Sequence, residues 1–179
     1  MNYIALLRGI NVGGHKKIKM ADLRVLFENL GYRDIITYIQ SGNVVFKSED
    51  QDIVELEGRI SKGIFGRYGF DVPAIVKKRE EVERILVHNP FTDPEDIQAN
   101  KVYFVLLKER PTQEGLSTLS SMQFDNEQLV VTPNCVYLKC NLGAGKAKCN
   151  NNLIEQKLQV AATSRNHRTL MKLWELSAD

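Results

Sequence analysis

Ile35-Ile36-Thr37-Tyr38-Ile39-Gln40-Ser41-Gly42-Asn43-Val44-Val45-Phe46-Lys47 decides the fold. Two β-branched, apolar runs, Ile35 to Ile39 and Val44 to Lys47, flank the tetrad Gln40 to Asn43, which is rich in turn formers and short enough for a hairpin. A hairpin at this point places two strands side by side, so the elements before and after it determine the topology.

Upstream, Met20, Leu23, Phe27 and Leu30 recur at helical spacing, and Gly31 supplies a left-handed stop. Before that helix, Tyr3 to Leu7 is a nearly continuous apolar run, as expected of a central strand covered on both faces. Downstream, Ile53, Leu56, Ile60, Ile64 and Tyr68 form a second helical stripe, opened by Asp52 with Glu55 three positions on and closed by Gly69. Val72 to Val76 then reads as a strand, and Pro73, which cannot donate to a ladder, assigns it to a sheet edge. Strand, helix, strand, strand, helix, strand is the split β-α-β or ferredoxin-like order.

The pattern then repeats. A connecting helix from about Glu80 to Val87 and the loop Asn89 to Pro94 lead to Lys101 to Leu107, a very apolar strand, and to a weaker helix carrying Leu116 and Leu119. Leu129 to Thr132 and Cys135 to Lys139 pair across Pro133-Asn134; Leu153 and Leu158 mark a helix, Val160 to Thr163 a short strand, and Asn166 opens a final helix. The expectation is an α+β chain of two ferredoxin-like (βαββαβ) halves in tandem with a C-terminal helix: residues 1–78, a connecting helix and loop over 79–100, and residues 101–179.

Composition narrows the functional classes. With 179 residues, 43% apolar and 26% charged, the chain is long enough to bury a core and too apolar to be disordered. A formal charge of +2, from 24 basic and 22 acidic residues, provides no global field for duplex nucleic acid. No apolar run approaches the roughly 18 residues of a spanning helix, and no signal peptide is evident, so a cytoplasmic location without membrane insertion is expected. Cys135, Cys140 and Cys149 form no Cys-x-x-Cys, and His15, His88 and His167 show no ligand spacing with them, so neither a metal nor a cofactor is expected. Nucleic-acid binding is also disfavoured, because Ser41 to Phe46 lacks the aromatic pattern of an RNA recognition motif.

The chemistry-bearing stretch is Arg8-Gly9-Ile10-Asn11-Val12-Gly13-Gly14-His15-Lys16-Lys17, which sets three glycines and several cations between a strand and a helix. It fails the dinucleotide spacing, and Gly143-x-Gly145-Lys146 fails that of a P-loop, so neither NAD nor ATP is indicated. The helix starts give a physical test. An N-terminus favours acidic neighbours by roughly 0.3–1 kcal/mol each, and the helices beginning near Asp52, Glu80 and Glu114 obey this. Three others are approached by cations: the first by His15, Lys16, Lys17 and Lys19, the one near Asn151 by Lys146 and Lys148, and the last by Arg165, His167 and Arg168 around the N-cap Asn166. A bound anion would turn those costs into gains. A solvated loop, screened by salt over about 10 Å, is the competing reading for Lys16 and Lys17.

Ala5 to Gly14, Thr37 to Phe46, His88-Asn89-Pro90-Phe91 and Thr163-Ser164-Arg165-Asn166 resemble, in the same order, motifs of the bacterial domain of unknown function 1697 family. The resemblance spans essentially the whole chain and implies an intracellular bacterial protein of two-part α+β fold with no established activity. Arg165, Asn166 and Thr169 match the family's near-terminal motif, whereas His167 and Arg168 depart from it.

These observations lead to an expected small anionic ligand, a phosphate- or carboxylate-bearing metabolite, at the junction of the two halves. Arg8 and Arg165 would supply charge, Gly9, Gly13 and Gly14 close backbone approach, and Asn11 and Asn166 orientation, with Ser41 and Asn43 beside them. An enzyme acting on such a metabolite, with His15 or His167 as general acid or base, and a single-stranded nucleic-acid-binding module are the alternatives.

Overall fold

A computed structural model describes residues 1–178, which divide into two compact units. The first comprises residues 1–82 with the C-terminal segment from Lys172, and the second residues 83–171.

In the first unit, β1 (Asn2–Leu7), α1 (Met20–Asn29), β2 (Arg33–Tyr38), β3 (Asn43–Lys47), α2 (Ile53–Tyr68) and β4 (Ala74–Lys78) follow the expected order, and α3 (Arg79–Val87) begins directly after β4. All neighbouring strands are antiparallel in the order β2-β3-β1-β4. The strand after the second helix therefore lies at an edge, as expected. It begins at Ala74, however, so Pro73 precedes it and contributes only a carbonyl, which accepts from the Arg8 N–H at 3.0 Å. The core gathers Tyr3, Ala5 and Leu7 from β1 with Leu23, Phe27, Ile60 and Ile64 from the two helices. Alternate residues of one strand share a face, which is why these positions and not Ile4 and Leu6 meet that core.

The second unit repeats the plan. It contains α4 (Pro94–Gln98), β5 (Val102–Leu107), α5 (Gln113–Ser120), β6 (Glu127–Val131), β7 (Cys135–Cys140), a 3-10 turn (Ala144–Lys146), α6 (Asn151–Leu158), β8 (Ala162–Asn166) and the start of α7 (His167–Leu176). Its sheet order is β6-β7-β5-β8, the counterpart of the first. Two boundaries differ from expectation. The loop after Asn89 contains the short α4, capped by the Asp93 side chain, and the last strand begins two residues later and ends three residues later than Val160 to Thr163.

Both edge strands that close the repeats are sealed by the same device. Along β4, the N–H groups of Ala74, Val76 and Lys78 donate to Ser61 Oγ (3.2 Å), Glu57 Oε1 (2.9 Å) and Glu81 Oε2 (2.9 Å). Along β8, the Ala162 N–H donates to Glu155 Oε1 (2.9 Å), and the Ala162 carbonyl accepts from Asn151 Nδ2 (2.9 Å). In each half the residues, Glu57 and Ser61 or Asn151 and Glu155, are one helical turn apart on the helix preceding the strand. Side chains thus occupy backbone groups that would otherwise template strand addition.

Candidate anion-binding site

The two long motifs of the first unit interlock at one end of its sheet. Leu6 pairs with Asn43, so β1 leaves the sheet where the β2–β3 turn begins. The Leu7 N–H donates to the Gly42 carbonyl at 2.8 Å. Asn11 then clamps the following loop: its Nδ2 donates to the carbonyls of Ile18 (2.9 Å) and Gln40 (2.8 Å), and its Oδ1 accepts from the Ile18 N–H (2.9 Å). Both amide hydrogens of Asn11 are committed to main chain, so the residue builds the wall of the site. Asn43 does the same for the hairpin, donating to Tyr38 O (2.9 Å) and Ser41 Oγ (3.0 Å).

The loop needs unusual backbone. Asn11, Gly13, Gly14 and Lys16 have φ of 55, 57, 79 and 46°, and Ile39 across from them has 48°. Gly42, at φ 76°, is sterically required as well, because a Cβ there would fall 2.7 Å from Ile10 Cδ1 and 2.8 Å from Leu7 Cβ. Lys16 crosses to Asp71, donating to its carbonyl at 2.5 Å, and so holds the loop down.

Between loop and turn lies a hollow of about 530 Å³, lined by Asn11, Gly14, Lys17, Ile18, Lys19, Asp22, Gln40 and Tyr68. The amino end of α1 opens into it. The N-cap of α1 is Lys19, and no side chain caps the helix. The contrast with the other helices is informative. Asp52 caps α2, Thr112 caps α5, Asn150 caps α6 through the Leu153 N–H (3.0 Å), and Asn166 receives the Thr169 N–H (2.8 Å) at the start of α7. Of the three helix starts that the sequence marks as basic, two are satisfied by asparagines and one is left open.

Other groups around the hollow are also unused. Among the described residues, Lys17 and Lys19 form no ion pair and the Gln40 side chain no hydrogen bond, and the buried Tyr68 hydroxyl has no partner. Burial raises the Tyr68 pKa, and nearby Asp22 adds to this against the opposing pull of Arg67, so the phenol keeps its proton and remains a donor. Asp22 faces Arg67 at 3.9 Å, the loose limit of an ion pair. The hollows at the opposite end of this sheet differ, because their cations are already matched: Arg33 to Glu49, Lys47 to Asp34, and Arg59 to Asp50 and Glu55.

The expected ligand residues divide between the units. Arg8, Gly9, Asn11, Gly13, Gly14, Ser41 and Asn43 gather at one end of the first sheet, with Asn11 and Gly14 in the wall of the hollow. Arg165 and Asn166 belong to the second unit. Arg165 is 7% exposed and donates from Nη1 to Thr163 Oγ1 (2.7 Å) and the Ser164 carbonyl (2.8 Å). Near it, burial lowers the His167 pKa, and its ring packs 5.8 Å from that of Phe104. Lys148 pairs with Asp125 at 3.5 Å. His88 Nδ1 lies 2.7 Å from the Arg84 carbonyl at the end of α3, the capping role its position suggests.

Ile18, Asp22, Gln40 and Tyr68 line the hollow without being nominated by the sequence. In sequence Gln40 belongs to the hairpin tetrad, Tyr68 ends a core stripe, and Asp22 lies in the first turn of α1. A tyrosine in the final turn before Gly69 was the available signal, since its hydroxyl must find a partner or remain buried without one.

A model of the family described as a protein of unknown function (DUF1697) matches residues 1–137. The chain belongs to that family. The stretch matched to DUF1697 contains the interlocked loops and the whole lining of the hollow, and ends before Arg165. Among solved structures, a conserved bacterial protein from Streptococcus pneumoniae is similar at 24% identity over 99% of this chain and 98% of that one, with a TM-score of 0.74. That likeness shows the fold. No curated protein matches the chain.

Proposed function

We propose that the first unit binds the phosphate or carboxylate group of a small metabolite in the hollow at the amino end of α1. The observation carrying this is the uncapped start of α1 beside two unpaired lysines, Lys17 and Lys19, in a chain whose other basic helix starts carry asparagine caps. Unpaired N–H groups and the positive end of the helix dipole favour an anion there, and the lysines add charge at the rim. The left-handed backbone at Gly13 and Gly14 lets main chain approach a ligand closely. Strained φ values at Asn11, Lys16 and Ile39 around the same hollow support the reading, since strain persists where surrounding structure enforces it.

Arg8, Gly9, Ser41 and Asn43 shape the loop and turn in this reading. The part expected of Arg165 and Asn166 is tested by whether Arg165→Ala changes the affinity for the same ligand. The buried Cys135, Cys140 and Cys149, none of them in a disulfide, support a reducing cytoplasmic setting.

Isothermal titration with phosphate esters and carboxylates is the direct test. Lys17→Glu is expected to weaken any hit at least tenfold, about 1.4 kcal/mol, and adding 0.5 M salt to weaken it further. A hit indifferent to both changes binds elsewhere.

A further inference from the structure

The groups around the hollow discriminate between kinds of anion, and this inference rests on the anion-binding reading above. Lys17 and Lys19 can only donate to a ligand oxygen while protonated. Asp22 is different. Its carboxylate lines the same hollow and is only loosely engaged by Arg67 at 3.9 Å, so it presents acceptor capacity and negative charge to whatever enters. The unpartnered Gln40 amide offers one donor group and one acceptor.

A bare anion makes poor use of this set. It meets the lysines, but it also brings charge toward Asp22 and has no hydroxyl to give to Asp22 or Gln40. An anion on an aromatic body leaves the same two residues without partners. The hollow, about 530 Å³, has room for a metabolite. A ligand with an anionic end and several hydroxyls satisfies every group: the anion lies among the lysines and the α1 amides, and the hydroxyls donate to Asp22 and exchange hydrogen bonds with Gln40. We infer that the hollow selects phosphate esters of polyhydroxylated carbon skeletons, the sugar phosphate class, with Asp22 as the residue that distinguishes them from simple phosphates.

The test is calorimetric titration of the full chain and of Asp22→Asn with three probes: inorganic phosphate, phenyl phosphate and glucose 6-phosphate. For the natural chain, glucose 6-phosphate is expected to bind about tenfold more tightly than either other probe, the effect of a hydroxyl bonded to a charged acceptor. Asp22→Asn is expected to weaken glucose 6-phosphate and to tighten inorganic phosphate, an opposition of sign that a purely structural role for Asp22 would not produce. Equal affinity of the natural chain for all three, or a common shift of all three in the variant, overturns the selectivity and leaves anion binding standing. Absence of binding by all three removes both. The ranking in the natural chain decides the matter even if the variant proves unstable.

Discussion

Gly42→Ala is the sharpest test of how the two motifs lock together. The substitution adds one carbon at φ 76°, where an alanine costs about 1–2 kcal/mol because its Cβ crowds the following carbonyl. The same carbon would lie 2.7 Å from Ile10 Cδ1 and 2.8 Å from Leu7 Cβ. Leu7 and Ile10 are 0% and 1% exposed, so neither can swing into solvent, and overpacking of this kind adds roughly 1–3 kcal/mol. The total is about 2–5 kcal/mol, or a fall of roughly 4–20 °C in Tm for a chain of this size. Gly9→Ala is the matched control: φ is 72°, but nothing lies within 4 Å of the added carbon, so only the conformational part is expected. Differential scanning calorimetry of the three proteins isolates the steric part as the difference between the variants. Should Gly42→Ala prove no more destabilising than Gly9→Ala, Gly42 does not fill the gap between Leu7 and Ile10, and the interlocked loops are wrong.

Three further outcomes are expected. Asp96 accepts from Lys139 (2.9 Å) and Lys101 (3.2 Å), and the hydrogen bond from Lys139, then that from Lys101, holds its carboxyl below the usual range. Because its folded pKa is depressed, this contribution is complete above the ordinary carboxylate pKa of about 4 and is lost as pH falls through the folded value; Lys139→Met should flatten stability against pH in acid urea titrations. Burial pushes the Cys140 thiol up to about 11 and the Cys149 thiol up to about 12, so neither should react with an aromatic disulfide reagent at pH 8 until denaturant is added, and rapid labelling of the native protein would contradict their placement. Lys19→Asp supplies the cap that α1 lacks: thermal melting should show a gain of about 0.5–2 kcal/mol, and titration a loss of phosphate affinity.

Both repeats were legible because their signals are periodic and local. Apolar residues three and four apart in α1 and α2, glycine stops at Gly31 and Gly69, and the hairpin tetrad before Asn43 leave few topologies open, and a proline near the last strand points to an edge. The α4 helix escaped because five residues carry too few apolar positions to show a period, although Asp93 and Pro94 form a recognisable start. The site was harder to read. Glycines and lysines after β1 mark the loop that lines the hollow, but what Asn11 does depends on Gln40, 29 residues away, and no spacing rule reports that contact. Charge at helix starts nominated three places. Only hydrogen bonds distinguish Asn150 and Asn166, which satisfy their helices, from Lys19, which does not.

That distinction bears on why the site takes its form. Nearly every local feature of the first unit agrees with its fold: capped α2, a sealed edge at β4, and a continuous core from Tyr3 to Ile64. Several departures surround one hollow, where a helix begins without a cap, two lysines crowd it and a tyrosine hydroxyl is buried without a partner, although Tyr32 at the other end of the sheet also buries an unpartnered hydroxyl and Asp34 there also holds a left-handed φ. Each departure costs on the order of 1 kcal/mol, and a common asparagine or aspartate at position 19 would remove the first of them. Under the proposed anion binding, the uncapped start of α1 and its two lysines are the departures that a ligand would account for. If that proposal holds, an anion in place of the missing cap would satisfy the open amides of α1 and stabilise this end of the helix.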